Sequence, residues 1–442
     1  MNIADLGVDL RLEQRYRRLV AEHTASRQAL AAGPRTLPGT GTALACTQAL
    51  WRFLGNQAVG RTVLVRPLVE HVRQFIAEEK PDVVLVVHDW CQLHYRRHHE
   101  KQDRRELASP WDLGYELLTS LVLSARDGRP VAPVAQALEA ADGVHATYAA
   151  RVQPALSHLD ALRPLMRVAE RTASGTRCVH LLDREGNAIC YLRQWAKWGR
   201  WFIVRSADHR KVQHRGSERR LDEVARRLSE EGAFRVSREV RYHGHKAFQQ
   251  VAETDLRLAR PGYQHRQKGG VKTRLKIPGP PLPLRLVVCR VVAEDGTVLA
   301  TWLLLTNVPA TVSAATIGLW YYWRWRIETY FKLLKSAGLQ LEAWQQETAE
   351  RVARRLLIAS MACAVVWQLA RDPSPEAAEA RQLLIRLSGR QMKRTRPFTE
   401  SALLAGLCVL LTMFDVLEHY DLPTLARLAA HCHPRLQAPG FL

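Results

Sequence analysis

Acidic residues are scarce in this sequence relative to basic ones. The 442 residues include 43 Asp and Glu against 64 Lys and Arg, which gives a formal net charge of +21 at pH 7. A surplus of this size on a folded chain favours a polyanionic partner, nucleic acid first and an anionic membrane second. The alternative is a positive surface that is simply solvated. Arginine predominates among the cations and suits bidentate contacts with phosphate.

The sequence also lacks the patterns of secreted, zinc-binding and membrane proteins. Its eight cysteines are scattered without a C-x-x-C pair, as expected for reduced thiols of a cytosolic protein. The histidine-containing stretches 94–99 and 431–433 are too compact to supply four zinc ligands. The N-terminal residues show no apolar signal-peptide core. The longest apolar stretches, at 356–370 and 402–414, are shorter than the roughly 18 residues of a membrane span. We therefore expect buried helices there and no membrane partner.

Hydrophobic periodicity divides the chain into three regions. Residues 1–77 predict a basic helical module, with a Gly-Pro break at 33–39. Residues 78–344 alternate predicted strands with helices, which is typical of an α/β domain. Within that domain, residues 208–310 alternate apolar and polar positions and end in a hairpin with Asp-Gly at its turn, so we expect a mostly β insertion. Residues 345–442 predict helices almost throughout.

Two aspartates follow short apolar runs in the predicted α/β domain. Val83 to Val87 predicts a buried strand that is followed at once by His88 and Asp89, and Cys178 to Leu182 predicts a strand that ends at Asp183. A carboxylate at a strand end is held by rigid backbone and reaches solvent, so it suits a hard cation such as Mg²⁺ or Mn²⁺. Taken singly, either aspartate is equally well explained as a strand cap or turn residue.

A third carboxylate, Glu328, is the one acidic residue of the segment YYWRWRIETYFKLLKSAG at 321–338. We predict one helix over about 313–338. On it, Tyr321, Arg324, Glu328 and Lys335 fall within about 60° of one another. This face combines a metal ligand, two cations and a phenol that can donate to a phosphate oxygen. The alternative is a basic amphipathic helix with an incidental glutamate, in which many of the neighbouring aromatics belong to the core.

The spacing Tyr321-x2-Arg324-x3-Glu328-x6-Lys335 resembles the Y-R-E-K signature of the IS4-type DDE transposases. RWRIE at 324–328 is similar to the corresponding segment of the Tn5 member of that family. The resemblance continues in chain order over nearly the whole sequence. The further similar segments are WRFLGN at 51–56 in the N-terminal DNA-binding region, LLDRE at 181–185 around the second aspartate, WFIVRS at 201–206, and WLLLT at 302–306.

This resemblance implies an RNase H-like core whose β insertion separates the second aspartate from the glutamate. It implies an N-terminal region that binds transposon ends and a C-terminal helical region that pairs two protomers. Asp89, Asp183 and Glu328 match the catalytic, metal-binding carboxylates. They imply two Mg²⁺ ions, which Mn²⁺ can replace, about 4 Å apart.

The resemblance also assigns DNA contacts. Tyr321, Arg324 and Lys335 match residues that contact DNA near the scissile phosphate, and we extend this expectation to Lys332 and Arg205. Trp302 matches a tryptophan that receives a flipped base, for which an aromatic surface is suited. The alternative for Trp302 is a core indole.

One departure concerns Asp89-Trp90-Cys91, because the family usually has small hydroxyl residues after the first aspartate. Either Trp90 faces the other side of its strand, or the site has diverged.

Together these features predict a DNA transposase that acts by a cut-and-paste mechanism with a hairpin intermediate and strand transfer. We expect it to act on double-stranded DNA, namely transposon-end inverted repeats and target DNA, as a homodimer on paired ends. We expect it in the bacterial cytoplasm, associated with the nucleoid through DNA. One alternative is a catalytically inactive, transposase-derived DNA-binding protein or inhibitor. Another is an RNase H-like endonuclease without strand transfer.

Overall fold

The computed structural model describes residues 4–24, 43–153, 155, 157–268, 271–336, 338–393 and 397–432. Within these ranges the chain forms a mixed α/β structure, which confirms the predicted α/β core. The predicted break at 33–39 and residue His433 of the C-terminal histidine-cysteine stretch lie outside the described residues.

The helices occur mainly in the two terminal regions, and shorter ones lie between the strands. They are α1 (Leu10–Thr24), α2 (Ala43–Gly55), α3 (Arg61–Leu64), α4 (Arg66–Glu79), α5 (Leu162–Thr172), α6 (Ile189–Lys197), α7 (Leu221–Glu230), α8 (Ala314–Trp323), α9 (Arg326–Leu334), α10 (Ala349–Arg371), α11 (Pro375–Ser388), α12 (Glu400–Leu417) and α13 (Leu422–Cys432).

The strands fall between residues 83 and 306. They are β1 (Val83–His94), β2 (Arg105–Glu106), β3 (Leu113–Ser124), β4 (Pro130–Ala140), β5 (Gly143–Ala146), β6 (Arg177–Leu182), β7 (Trp201–Arg205), β8 (Lys211–His214), β9 (Ser217–Arg220), β10 (Arg235–Tyr242), β11 (His245–Leu258), β12 (Gly262–Lys268), β13 (Val271–Ile277), β14 (Leu282–Ala293) and β15 (Val298–Thr306).

Most of the strands join one mixed sheet in the order β5-β4-β3-β1-β6-β7-β15-β14-β11-β8-β9. Strand β1 is antiparallel to β3 and parallel to β6, and β6 is parallel to β7. Strand β15 then joins β7 in antiparallel fashion and brings in β14 and β11. The region predicted as a β insertion therefore extends the central sheet instead of forming a separate one, except for the pair β12–β13.

The position of Asp89 within its strand differs from the prediction. We expected the strand to end at Val87, but β1 continues to His94. The reason is its pairing with β3, which runs without interruption from Val84 to His94. The parallel neighbour β6 is shorter and its last pair with β1 is Val87 with Leu181. Asp89 therefore lies within a strand but just beyond the end of one neighbour, which leaves room for its side chain.

The predicted single helix over 313–338 is in fact two helices, α8 and α9. At the junction, the amides of Arg324, Trp325 and Ile327 donate to carbonyls three residues earlier, so the backbone tightens there. Helix α9 ends at Leu334, and Lys335 is its C-terminal cap. The continuous helix on which the one-face arrangement was predicted is therefore absent, because the helix is interrupted after Trp323 and ends before Lys335.

Buried hydrogen bonds fix α8 and α9 against the sheet. The Trp320 indole donates to the carbonyl of Ala125 at 3.1 Å. The Gln136 amide on β4 donates to the Tyr330 hydroxyl at 2.8 Å, and this hydroxyl lies 2.7 Å from that of Ser360 on α10. Tyr330 has no exposed surface. Because buried polar groups are costly without partners, this cluster defines one position for α9.

The terminal helices pack on each other, with α1 and α4 both against α10. Helix α10 has the length and apolar character of a membrane span, with a mean hydropathy of 1.4, but 83% of that segment is buried inside the protein. Such burial is typical of a core helix. It agrees with the interpretation of 356–370 as a buried helix.

Candidate active site

The parallel register of β1 and β6 brings the two aspartates to the same level of the sheet. Their pairing runs from Val83 with Arg177 to Val87 with Leu181, and two further residues in that register lead to Asp89 and Asp183. Asp183 directly follows β6 and caps a short turn, where its carboxylate accepts the Glu185 amide at 2.8 Å. The two carboxylates therefore come from adjacent strands.

Arg324 joins the third carboxylate to this pair. Its Nη1 donates to Asp89 at 3.1 Å, and its Nη2 donates to Glu328 at 3.1 Å. The Arg324 side chain is only 8% exposed, whereas that of Glu328 is 41% exposed. A buried guanidinium thus links β1 to α9 across the site, with Asp183 close enough to act electrostatically on both Arg324 and Glu328.

The electrostatics of the site reflect burial and crowding of like charges. Burial raises the pKa of Asp89 to about 6, with further increases from Asp183 and Glu328 and an opposing effect of Arg324. Burial also raises the pKa of Glu328, again opposed by Arg324. Burial would lower the pKa of Arg324 itself, but Tyr321 and the carboxylates raise it overall. Arg324 therefore offsets much of the repulsion that the carboxylates exert on one another.

Tyr321 and Arg205 lie near this cluster, and Trp302 lies on the neighbouring strand β15. Tyr321 is 5% exposed, and burial raises its pKa to about 12. Arg205, at the end of β7, acts electrostatically on Tyr321. The Trp302 side chain is partly buried and packs against the hydrophobic core, so its main role in this structure is packing.

The two lysines of the predicted face differ sharply in environment. Lys335 donates to the carbonyl of Gln92 at 2.8 Å and pairs with Glu342 at 2.9 Å. It therefore anchors the end of α9 to β1, three residues beyond Asp89. Lys332, in the last turn of α9, is exposed.

Trp90 does not block the face of β1 that carries Asp89. Side chains alternate along a strand, so Trp90 points away from Asp89 and Cys91. Trp90 packs against buried hydrophobic side chains and stacks on His158 with ring centroids 4.0 Å apart. His158 in turn contacts Glu185 at 3.2 Å, next to the capping turn of Asp183. The residue that departs from the family pattern thus packs beneath the site.

Sequence reasoning missed a buried polar chain behind Asp89. His88 lies 2.8 Å from the Ser120 hydroxyl and 2.9 Å from His180, which contacts Glu170 at 3.3 Å. Burial lowers the pKa of His88 well below its usual value, so it is neutral. Ser120 and His180 lie far from His88 in the sequence. The only sign of this contact in the sequence is a histidine beside or within each apolar run.

The donor set at the candidate site fits a hard divalent cation. Asp89, Asp183 and Glu328 offer carboxylate oxygens, which Mg²⁺ and Mn²⁺ prefer; Asp89 lies within β1 and Asp183 directly follows β6. Among the residues that the structure describes, the buried Nε of Arg324 has no hydrogen-bond partner. The Arg324 guanidinium is therefore one cationic group that already lies against the carboxylates.

A second group, Asp103, Asp142 and His145, could also hold a metal ion, because its ligand atoms lie within 4.8 Å of one another. These groups have protein partners. Asp103 accepts from the Tyr115 hydroxyl and from the Ala349 amide, and His145 contacts both Asp142 and Glu350. The group ties β4–β5 to the start of α10, which is a sufficient structural role.

Comparison with known families identifies part of this architecture. Residues 189–366 match the family described as "Transposase DDE domain". The matched segment is less than half of the chain and contains α8, α9 and Glu328, but neither Asp89 nor Asp183. No curated protein matches the chain. The match supports a DDE transposase family for this chain, and with it an enzyme that acts on DNA.

The raised pKa of Asp89 predicts a specific pH dependence of stability without divalent metal. The Asp89 carboxyl binds a proton more tightly in the native state than in the unfolded chain, so the contribution of Asp89 to the stability of wild type falls as pH rises from about 4 to about 6. Asp89→Asn cannot ionise and should escape this loss, which is on the order of 3 kcal/mol for a shift of this size. Urea unfolding in EDTA across this range measures the difference. If the free energies of unfolding of wild type and Asp89→Asn differ by the same amount at every pH from 4 to 7, the raised pKa of Asp89 is contradicted.

Proposed function

We propose that this chain is an IS4-type, Tn5-like transposase that moves DNA by a cut-and-paste mechanism. Asp89, Asp183 and Glu328 are its catalytic and metal-binding carboxylates. The observation that carries the proposal is the convergence of these three side chains around Arg324, although they come from β1, from the end of β6 and from α9. A basic helix with an incidental glutamate gives no reason for that convergence.

The proposed core is RNase H-like, and the topology supports this. Strands β4, β3 and β1 are antiparallel neighbours, and β6 and β7 add in parallel on the other side of β1. Within this proposal, residues 1–77 bind transposon ends, 78–344 form the catalytic domain and 345–442 take part in dimerisation.

The reaction consists of phosphodiester hydrolysis and transesterification. Water attacks at the transposon end, the freed 3′-hydroxyl attacks the opposite strand and closes a hairpin, and hydrolysis and strand transfer into target DNA follow. Asp89, Asp183 and Glu328 would hold two Mg²⁺ or Mn²⁺ ions, which would activate the attacking oxygen and stabilise the leaving oxygen.

The side chains of the site have separate tasks in this reaction. Arg324 holds Asp89 and Glu328 in position. Tyr321, with a pKa of about 12, keeps its phenolic proton at neutral pH and can donate to a phosphate oxygen. Lys332 and Arg205 add positive charge for the DNA backbone, and Lys335 fixes the end of α9. Trp302 is the proposed surface for a flipped base, which requires its partly buried ring to become accessible.

The proposed homodimer has a candidate surface at the C-terminal end of α12. The apolar residues of α10 are almost all buried within the chain. In contrast, Met413, Phe414 and Leu417 are 47%, 56% and 45% exposed. Because two transposon ends are processed together, we assign this apolar face to a second copy of the chain.

Replacing the carboxylates tests the catalytic assignment. Asp183→Ala and Glu328→Ala should each abolish Mg²⁺-dependent cleavage of DNA that carries the transposon end, while binding of that DNA persists. Each change removes a metal ligand worth several kcal/mol of charge stabilisation but few phosphate contacts. The end sequence is found by sequencing the DNA that flanks the gene. Asp142→Ala is the matched control, since Asp142 belongs to the other acidic group, and it should cut normally.

The same assay separates the alternatives. No cleavage by wild type in Mg²⁺ or Mn²⁺, with intact binding, would indicate a catalytically inactive DNA-binding protein. Cleavage without joining of the 3′ end to a target plasmid would indicate an endonuclease. Near wild-type cleavage by either carboxylate variant would refute the proposed triad.

Lys332 and Lys335 provide a matched pair for the DNA backbone. Lys332→Ala should lower the slope of log affinity against log salt by about 0.9, as expected for one lost phosphate contact. Lys335→Ala should leave that slope nearly unchanged, because Lys335 is held by Gln92 and Glu342, and should lower the thermal midpoint instead. Binding titrations over a salt series and thermal unfolding measure both effects. The reverse pattern would show that Lys335 leaves its protein partners for DNA.

The dimer surface is tested with Phe414→Ser. Loss of this exposed ring should shift complexes with end DNA from two protomers towards one, because the apolar area available for association shrinks. Sedimentation velocity of the protein with end DNA gives the stoichiometry. Val298→Ser is the control, since Val298 is 48% exposed but lies on β15. Wild type that binds end DNA only as single protomers would exclude the proposed dimer.

A further inference from the structure

Strands β12 and β13 form a two-stranded ribbon apart from the main sheet. They pair antiparallel from Gly262 with Ile277 to Lys268 with Val271. Each strand has seven residues, so the ribbon is about 23 Å long. A ribbon of this kind cannot bury a core of its own. Its sequence must therefore be explained by something other than packing.

The composition of the ribbon is strongly one-sided. No acidic residue occurs between Asp255 and Glu294. Within 262–277 there are five lysines and arginines and one histidine: His265, Arg266, Lys268, Lys272, Arg274 and Lys276. Charges of one sign at this density repel one another, and an anionic partner relieves that repulsion.

The register gives the ribbon one distinctive face. In an antiparallel pair, opposite residues share a face and alternate pairs lie on the same side. Tyr263 is paired with Lys276, and Arg274 occupies the next pair on that face, together with position 265. The Arg274 guanidinium lies 3.7 Å from the centre of the Tyr263 ring. Arg274 and Lys276 are exposed, so this face presents cations and an aromatic ring to solvent.

The base of the ribbon is attached to the helix that follows Asp183. Arg193 on α6 donates to the carbonyls of Leu258 and Arg260 before β12, and to that of Pro280 after β13, at 2.8–3.2 Å. A Cβ atom at Gly262 would come within 2.9 Å of the Cys190 backbone, so glycine permits this close approach. The ribbon is thereby tied to α6, a helix that begins six residues after Asp183.

We propose that the ribbon β12–β13 enters the major groove of duplex DNA bound at the active site. The major groove of B-form DNA is about 12 Å wide and admits a two-stranded β-ribbon. The face of Tyr263, Arg274 and Lys276 turns towards the DNA, and Arg274 and Lys276 contact phosphates along the groove. The inference rests on the proposed function only in taking DNA as the partner, and it does not require catalysis.

The test uses the full chain in EDTA with the double variant Arg274→Ala/Lys276→Ala. Its affinity for duplex DNA should fall, and the slope of log affinity against log salt should decrease by about 1.8, for two lost contacts. The matched control is the double variant Arg73→Ala/Arg126→Ala. Arg73 on α4 and Arg126 in the β3–β4 turn are both exposed, and they lie near the start of β1, away from Asp89. This control should change the slope far less. Equal urea midpoints for the three proteins establish that the fold is intact.

An RNA duplex of the same sequence distinguishes groove entry from general attraction. The major groove of A-form RNA is too deep and narrow to be entered, so wild type and the ribbon variant should bind RNA alike. An unchanged slope of log affinity against log salt on DNA would overturn the proposal, as would an equal loss of affinity for DNA and RNA. The charged residues would then serve to prevent the free strand edges from pairing with other chains. Cleavage by wild type in Mg²⁺ is measured separately. Its absence would refute the proposed transposase activity without affecting the binding result.

Discussion

A buried guanidinium held between two carboxylates is the interaction on which the candidate site depends. Arg324 contacts Asp89 on β1 and Glu328 on α9, and it is almost entirely buried. An uncompensated charge in such a place is costly. The arginine therefore requires the carboxylates, and the carboxylates require a cation. The sheet and the helix are joined at the place where the proposed chemistry occurs.

The surroundings of Arg324 are arranged to keep this geometry fixed. Tyr330 positions α9 through Gln136 and Ser360, and Lys335 ties the end of that helix to Gln92. Because β1 continues well past Asp89 and pairs with β3 throughout, the first carboxylate does not depend on a flexible strand end. These contacts hold the side chains around Arg324 in one arrangement, which the proposed metal site requires.

Local patterns predicted much of the secondary structure. The apolar runs at 83–87 and 178–182 became β1 and β6, and the Asp-Gly turn of the predicted hairpin joins β14 to β15 with Gly296 at a φ of 88°. The predicted helix over 313–338 was wrong in two respects, the tightened junction at Arg324 and Trp325 and the earlier end at Leu334. Periodicity reports which residues face the core, but it does not report where a backbone switches its hydrogen-bond pattern.

The sequence by itself determined the chemistry available: a strongly basic chain, two aspartates after apolar runs, and one glutamate among cations and aromatics at a recognisable spacing. Only the tertiary structure decided which of these groups meet. The register of two parallel strands brings Asp89 level with Asp183. Arg324, at the junction of α8 and α9, is buried, whereas Lys332 on α9 is exposed. Such contacts join residues far apart in the chain, and their energies depend on burial, which local patterns do not specify.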